Sequence, residues 1–94
     1  MLEKMPIFLE KVPKGQIDME ILRLGMIAEL DAINLYEQLA AATQDENIKK
    51  VCLDIAKEEK THLGEFQTML LRLDKEQVEE MKEAEEEIKE LTGK

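Results

Sequence analysis

In the run Glu58-Glu59-Lys60-Thr61-His62 a carboxylate and an imidazole, Glu59 and His62, stand three residues apart and so share one face of any helix they lie on. The surrounding segment, residues 48–73, has an apolar seam that steps by fours and threes through Ile48, Cys52 and Ile55, then Phe66, Met69 and Leu73. The same steps, continued through the gap, land on Glu59 and His62. An upstream seam runs Leu22, Met26, Glu29, Ile33, Tyr36 and Ala40. Three polar groups are therefore expected at core positions. An ionised carboxylate taken from water without partners costs several kcal/mol, comparable with the whole stability of a small domain. Three arrangements would relieve that cost. The groups could form a structural hydrogen-bonded cluster, the seam could be rotated so that they lie at a polar edge, or a metal ion could compensate their charge.

The ligand inventory favours metal. Di-iron carboxylate bundles take one Glu from each of two helices and a Glu-x-x-His pair from each of the other two, all pointing inward. This chain carries half of that set: Glu29 alone, Glu59 with His62, and only two long helical patterns. Two copies related by a two-fold axis would supply four helices, four carboxylates and two imidazoles. Such a set suits a pair of iron or manganese ions, and zinc or calcium could substitute.

The elements that must position these residues can be read from periodicity and punctuation. Residues 1–17 hold both prolines and read as an irregular arm, with an Ile7-Phe8-Leu9 cluster that could dock on the bundle or on a partner. Helix one is expected over 18–42, opened by Asp18 as N-cap and containing Gly25, which suggests a close approach of another backbone. Helix two is expected over 46–73, with Thr43 and Glu46 spaced as a capping box. The loop between them is so short that the helices must form an antiparallel hairpin. The midpoint of positions 29 and 59 is 44, the centre of that loop, so Glu29 and Glu59 should lie at one height. Asp74 caps a third helix over 75–91, with Gln77 at the capping-box position and Gly93 as the stop. Its stripe of Val78, Met81, Ile88 and Leu91 is too narrow to fold a helix alone, which suggests packing on a neighbouring subunit or on the outside of the bundle.

The whole chain of 94 residues is expected to form one all-α domain, a hairpin plus a shorter C-terminal helix that pairs into a four-helix bundle on dimerisation. A composition 44% hydrophobic and 37% charged, with two phenylalanines and one tyrosine, fits a helical bundle. The formal net charge of −9 argues against nucleic acid and anionic membrane surfaces as partners. No apolar run reaches membrane-spanning length, and no secretory core is visible at the N-terminus. The single cysteine, Cys52, cannot form an internal disulfide and fits a reducing, cytoplasmic setting.

The stretch from Ala28 through Glu29, Leu30, Asp31, Ala32, Ile33, Asn34 and Leu35 to Tyr36, together with Glu58-Glu59-Lys60-Thr61-His62, resembles the encapsulated ferritins, half-length members of the ferritin-like superfamily. The similarity extends to Leu91-Thr92-Gly93 and covers about residues 18–93. It implies a ferroxidase centre at a dimer interface built from Glu29, Glu59 and His62 of each subunit, with Tyr36 beside the metals. It further implies a ring of about ten subunits, residence inside an encapsulin nanocompartment and partnership with the encapsulin shell protein. Some members are fused to that shell, and Leu91-Thr92-Gly93 resembles the end of such a fused domain. Where the family often has acidic residues flanking the ligand Glu, this chain has Ala28 and Asp31, so Asp31 is the candidate for guiding metal inward by an altered route. Leu35 stands where an aromatic is common, and no C-terminal targeting peptide follows Lys94, so loading by such a tail is not expected.

Two other readings use the same residues. A rubrerythrin-like peroxidase or a manganese-dependent oxidase could occupy this scaffold, although one cysteine cannot build the four-cysteine iron site of rubrerythrins. In a non-catalytic helical assembly module the buried acids would only fix register. Glu37 and Glu58 read as solvated residues, with Glu58 within reach as an outer partner, and Met26, Met69 and Cys52 read as core filler.

Overall fold

In the computed structural model, which describes residues 7–94, the chain forms three α-helices: α1 over Ile17–Ala42, α2 over Glu46–Leu73 and α3 over Lys75–Thr92. No strand occurs among the described residues. The all-α hairpin with a shorter C-terminal helix is therefore observed. Two short 3-10 turns, Leu9–Lys11 and Lys14–Gln16, precede α1. Residues 1–6 of the expected arm, Pro6 included, lie outside the described residues.

The starts of the first two helices correct the sequence reading. The Lys14–Gln16 turn runs straight into α1, so the cap position is Gln16, without a side-chain bond, and Asp18 lies in the first turn. There its charge faces the positive end of the helix dipole. At α2 the cap is Asp45 rather than Thr43: Asp45 Oδ1 accepts from the backbone N–H groups of Asn47 at 2.8 Å and Ile48 at 3.0 Å. Thr43 Oγ1 accepts instead from the Asp45 N–H at 3.1 Å, which folds the loop and aims the capping carboxylate. α3 ends one residue later than expected, at Thr92, and Gly93 takes the left-handed conformation (φ 77°) that terminates it.

α1 and α2 pack along their length. Ile33 and Ala40 of α1 are buried as the seam requires, but on α2 the fully buried residues are Ala56 and Leu70. At about 100° per residue these two share an arc with Cys52, Glu59 and Leu63. Ile48, Met69 and Leu73, expected in the core, are about half exposed on the single chain. The α2 seam is thus rotated, and the stripe read from sequence merges two neighbouring arcs. Gly25 does admit a close neighbour, but it is a ring and not a backbone: a Cβ placed there would fall 2.9 Å from three carbons of Phe66.

α3 departs from the hairpin after a single residue. Two helices of about 40 Å laid side by side account for one 46 Å dimension and the 21 Å thickness, and the 43 Å width agrees with α3 leading away from the hairpin. Asp74 sets this corner. Its Oδ1 accepts from the Gln77 N–H at 3.0 Å and caps α3, while Arg23 Nη2 of α1 donates to its Oδ2 at 2.8 Å. The Gln77 N–H foremost holds the Asp74 carboxyl below its ordinary value of 3.8; burial opposes it, and Arg23 adds lesser help through its hydrogen bond and charge.

A carboxyl depressed in the folded state adds stability above its unfolded pKa, and that contribution disappears as pH falls through the folded one. Hydrogen-exchange protection of the Gln77 amide, corrected for intrinsic rate, should therefore decline as pH is lowered through and below 3.8. The same protection should be flat over that range in Asp74→Asn. Flat protection in the wild-type protein would show that the carboxylate charge does not hold the corner.

Candidate metal centre

The hairpin register brings Glu29 of α1 opposite Glu59 of α2, and the three-residue step along α2 brings His62 beside both. His62 Nδ1 lies 3.5 Å from Glu29 Oε2 and 3.4 Å from Glu59 Oε2. One donor atom from each residue falls within 4.8 Å of the others. No other group of three His, Cys, Asp or Glu donors comes together in this way among the described residues.

Burial differs sharply across the trio. The side chains of Glu29 and Glu59 are 16% and 20% exposed, whereas that of His62 is 47% exposed. His62 therefore stands at the rim of the hairpin and not in its core, a second consequence of the rotated seam. Glu29 Oε2 is buried and has no hydrogen-bond partner. An unpaired buried acceptor of this kind costs about 1–3 kcal/mol, more when charged. The neighbouring His62 Nδ1, at 3.5 Å, is long for a hydrogen bond, so a structural cluster would satisfy that oxygen poorly. The spacing also suits a cation: an ion with ligands at about 2.1 Å holds adjacent donors about 3 Å apart and opposite donors about 4 Å apart, close to the spacing found. Two carboxylates and one imidazole are hard donors with some nitrogen, the chemistry preferred by iron and manganese.

The remaining sequence candidates lie outside this trio. Tyr36 is half-buried on the Glu29 face, two turns or about 10 Å further along α1. Asp31 is half-buried about 200° round α1 from Glu29. Glu58 is exposed, Glu37 pairs with Lys60 Nζ at 3.2 Å, and Cys52 is a half-buried free thiol.

The sequence model described as EncFtn-like matches residues 6–90. The chain belongs to the EncFtn-like family. Over 75 residues it is 65% identical to a ferritin-like–encapsulin shell fusion protein of Pyrococcus furiosus, a match covering 80% of this chain and 22% of that protein. It is 39% identical over 85 residues to the encapsulin nanocompartment cargo protein EncC of Myxococcus xanthus, covering 87% of this chain and 65% of the relative. The crystal structure of the encapsulated ferritin domain from Pyrococcus furiosus is similar with a TM-score of 0.79 and 54% identity, over 100% of this chain and 90% of that one. The chain thus spans about a fifth of the length of the fusion protein. The resemblance to encapsulated ferritins read from residues 28–36 and 58–62 is borne out at the level of family and ferritin-like fold.

Replacing Glu29 by Gln removes one of two facing charges and puts an amide where a carboxylate oxygen lacks a hydrogen bond. The metal-free Glu29→Gln variant should be more stable than wild type by about 1–3 kcal/mol in denaturant unfolding, and added Mn(II) should no longer raise its stability. A less stable variant would identify Glu29 as a structural anchor instead.

Proposed function

We propose that this EncFtn-like protein is a ferroxidase whose di-iron site is shared by two subunits, and that it feeds iron storage within an encapsulin compartment. The observation that carries this reading is the half-site itself: Glu29, Glu59 and His62 converge, with a buried carboxylate oxygen that lacks a hydrogen bond and the imidazole open to one side. Two such half-sites facing each other across a two-fold axis offer four carboxylates, whose four negative charges match two divalent cations. Two Fe(II) ions held side by side can deliver two electrons to O2 together and avoid a one-electron step to superoxide. Glu29 and Glu59 would hold the Fe(II) substrate and tolerate its extra charge after oxidation. His62 would hold the metal through a ring nitrogen, and Tyr36 and Asp31 are proposed as a nearby redox or orienting group and a metal guide.

The surface supports a partner on one face of the hairpin. At about 100° per residue, the exposed Ile21, Leu39, Ile48, Val51, Met69 and Leu73 fall on the same face as His62. The opposite face carries Leu30 and Leu53 beside the Lys60–Glu37 ion pair. A second hairpin laid on the His62 face would bury the apolar residues and complete a four-helix bundle. α3 gives further material for assembly: Met81, Ile88 and Leu91 are exposed, the last at 82%. Dimers joined through α3 into a ring of about ten subunits are the proposed assembly. The names of the two relatives support the encapsulin shell as partner and the inside of a cytoplasmic nanocompartment as location. No helix among the described residues is long and apolar enough to cross a membrane.

Anaerobic Fe(II) titration followed by exposure to air tests the reading. Saturation is expected near one iron per chain, and the rate of ferric absorbance growth should fall at least tenfold, roughly, in Glu59→Ala and His62→Ala. Absence of Fe(II) binding by the wild-type protein would defeat the proposal. Separately, Met69→Glu should leave helicity unchanged while lowering the mass seen by light scattering and abolishing oxidation. Unchanged mass would place the partner elsewhere.

A further inference from the structure

Gly25 and Phe66 occupy the two helices one turn away from the ligands. Gly25 precedes Glu29 by four residues on α1, and Phe66 follows His62 by four residues on α2, about 6 Å along each axis. A Cβ at Gly25 would lie 2.9 Å from Cδ1, Cε1 and Cζ of Phe66, so the ring sits flat against the bare backbone of α1. Gly25 has ordinary helical geometry, and only Gly93 has positive φ among the described residues. Space, and not backbone conformation, is thus what the glycine supplies. In a helix interior that choice costs stability relative to Ala.

We propose that Gly25 and Phe66 are positioning residues for the metal centre: the ring seated on the glycine sets the spacing of α1 and α2 at the level where Glu29 meets Glu59 and His62. This rests on the metal reading given above. Ligand distances must hold to about 0.2 Å for a good site. Ordinary van der Waals contact with a new methyl would require the ring to retreat by several tenths of an ångström to about 1 Å from its 2.9 Å position. That displacement is transmitted to a site one turn away through Phe66's own helix, which carries both Glu59 and His62. Gly64 makes the contrast, because a Cβ there would meet nothing within 4 Å.

The test uses Co(II), added anaerobically to the full chain, with affinity and the visible d–d bands as readouts. Measurements are made at protein concentrations where light scattering gives the wild-type mass. Gly25→Ala should bind Co(II) about tenfold more weakly, roughly the effect of losing a supporting contact around a metal, with altered bands. Phe66→Leu, which removes the ring without adding bulk, should weaken binding similarly, so the idea stays testable should Gly25→Ala fail to fold. The double variant Gly25→Ala/Phe66→Leu, in which the methyl takes part of the ring's space, should recover affinity relative to Gly25→Ala. Gly64→Ala should behave as wild type. Affinity within about twofold of wild type and unchanged bands in folded Gly25→Ala or Phe66→Leu would overturn the positioning role while leaving the metal site standing. A wild-type protein that takes up no Co(II) or Fe(II) would remove the metal reading and this inference together.

Discussion

The structure turns on placing two carboxylates between a pair of packed helices. Glu29 and Glu59 are mostly buried and face one imidazole, and one Glu29 oxygen has no hydrogen-bond partner. In a chain with so little fully buried apolar surface, such a concentration of anionic groups is a considerable burden. Among the described residues, the half-exposed imidazole of His62 is the group placed to relieve it, at 3.4 and 3.5 Å. Lys60 is spent on Glu37, and Arg23 on Glu20 and Asp74. A divalent cation at the open side of His62 is the proposed source of further compensation.

The same constraint explains why the hairpin looks unfinished. Its inner arc is covered by the facing helix, but the adjoining arc, which carries His62, is rimmed by exposed aliphatic side chains. A helix in a four-helix bundle contacts two neighbours, and a single chain provides only one. Metal and partner thus answer one need. In the proposed dimer the second copy would supply both the apolar cover and the remaining ligands, which would couple assembly to iron binding. Membership of the EncFtn-like family fits this arrangement of a half-length ferritin-like unit.

Much of this was legible in the sequence because it depends on local spacing. The step from Glu59 to His62 and the distances of Glu29 and Glu59 from a short loop fix the convergence whatever the details of packing. The α1 seam was read correctly at Ile33 and Ala40 for the same reason. The α2 seam was not, because its apolar arc is wide enough for two neighbours. Periodicity alone cannot tell Ala56 and Leu70, which face α1, from Ile48, Met69 and Leu73, which do not. Small residues such as Ala56 also carry little hydrophobic signal, yet they permit the closest helix contact. The cap of α2 was displaced by two residues because Thr43 and Asp45 both have capping chemistry, and only the loop conformation decides between them. No periodic pattern could reveal that the ring of Phe66 fills the space left at Gly25, a contact across 41 positions of sequence.

The central claim is that metal and second subunit complete one site. Sedimentation equilibrium with and without Mn(II) tests it most directly, because ligand shared across an interface must strengthen that interface by linkage. The account predicts that Mn(II) lowers the concentration at which subunits separate by at least about tenfold, that chelation reverses the effect, and that Glu59→Ala abolishes it. A full equivalent of Mn(II) bound per chain with no change in the mass distribution would contradict a shared centre.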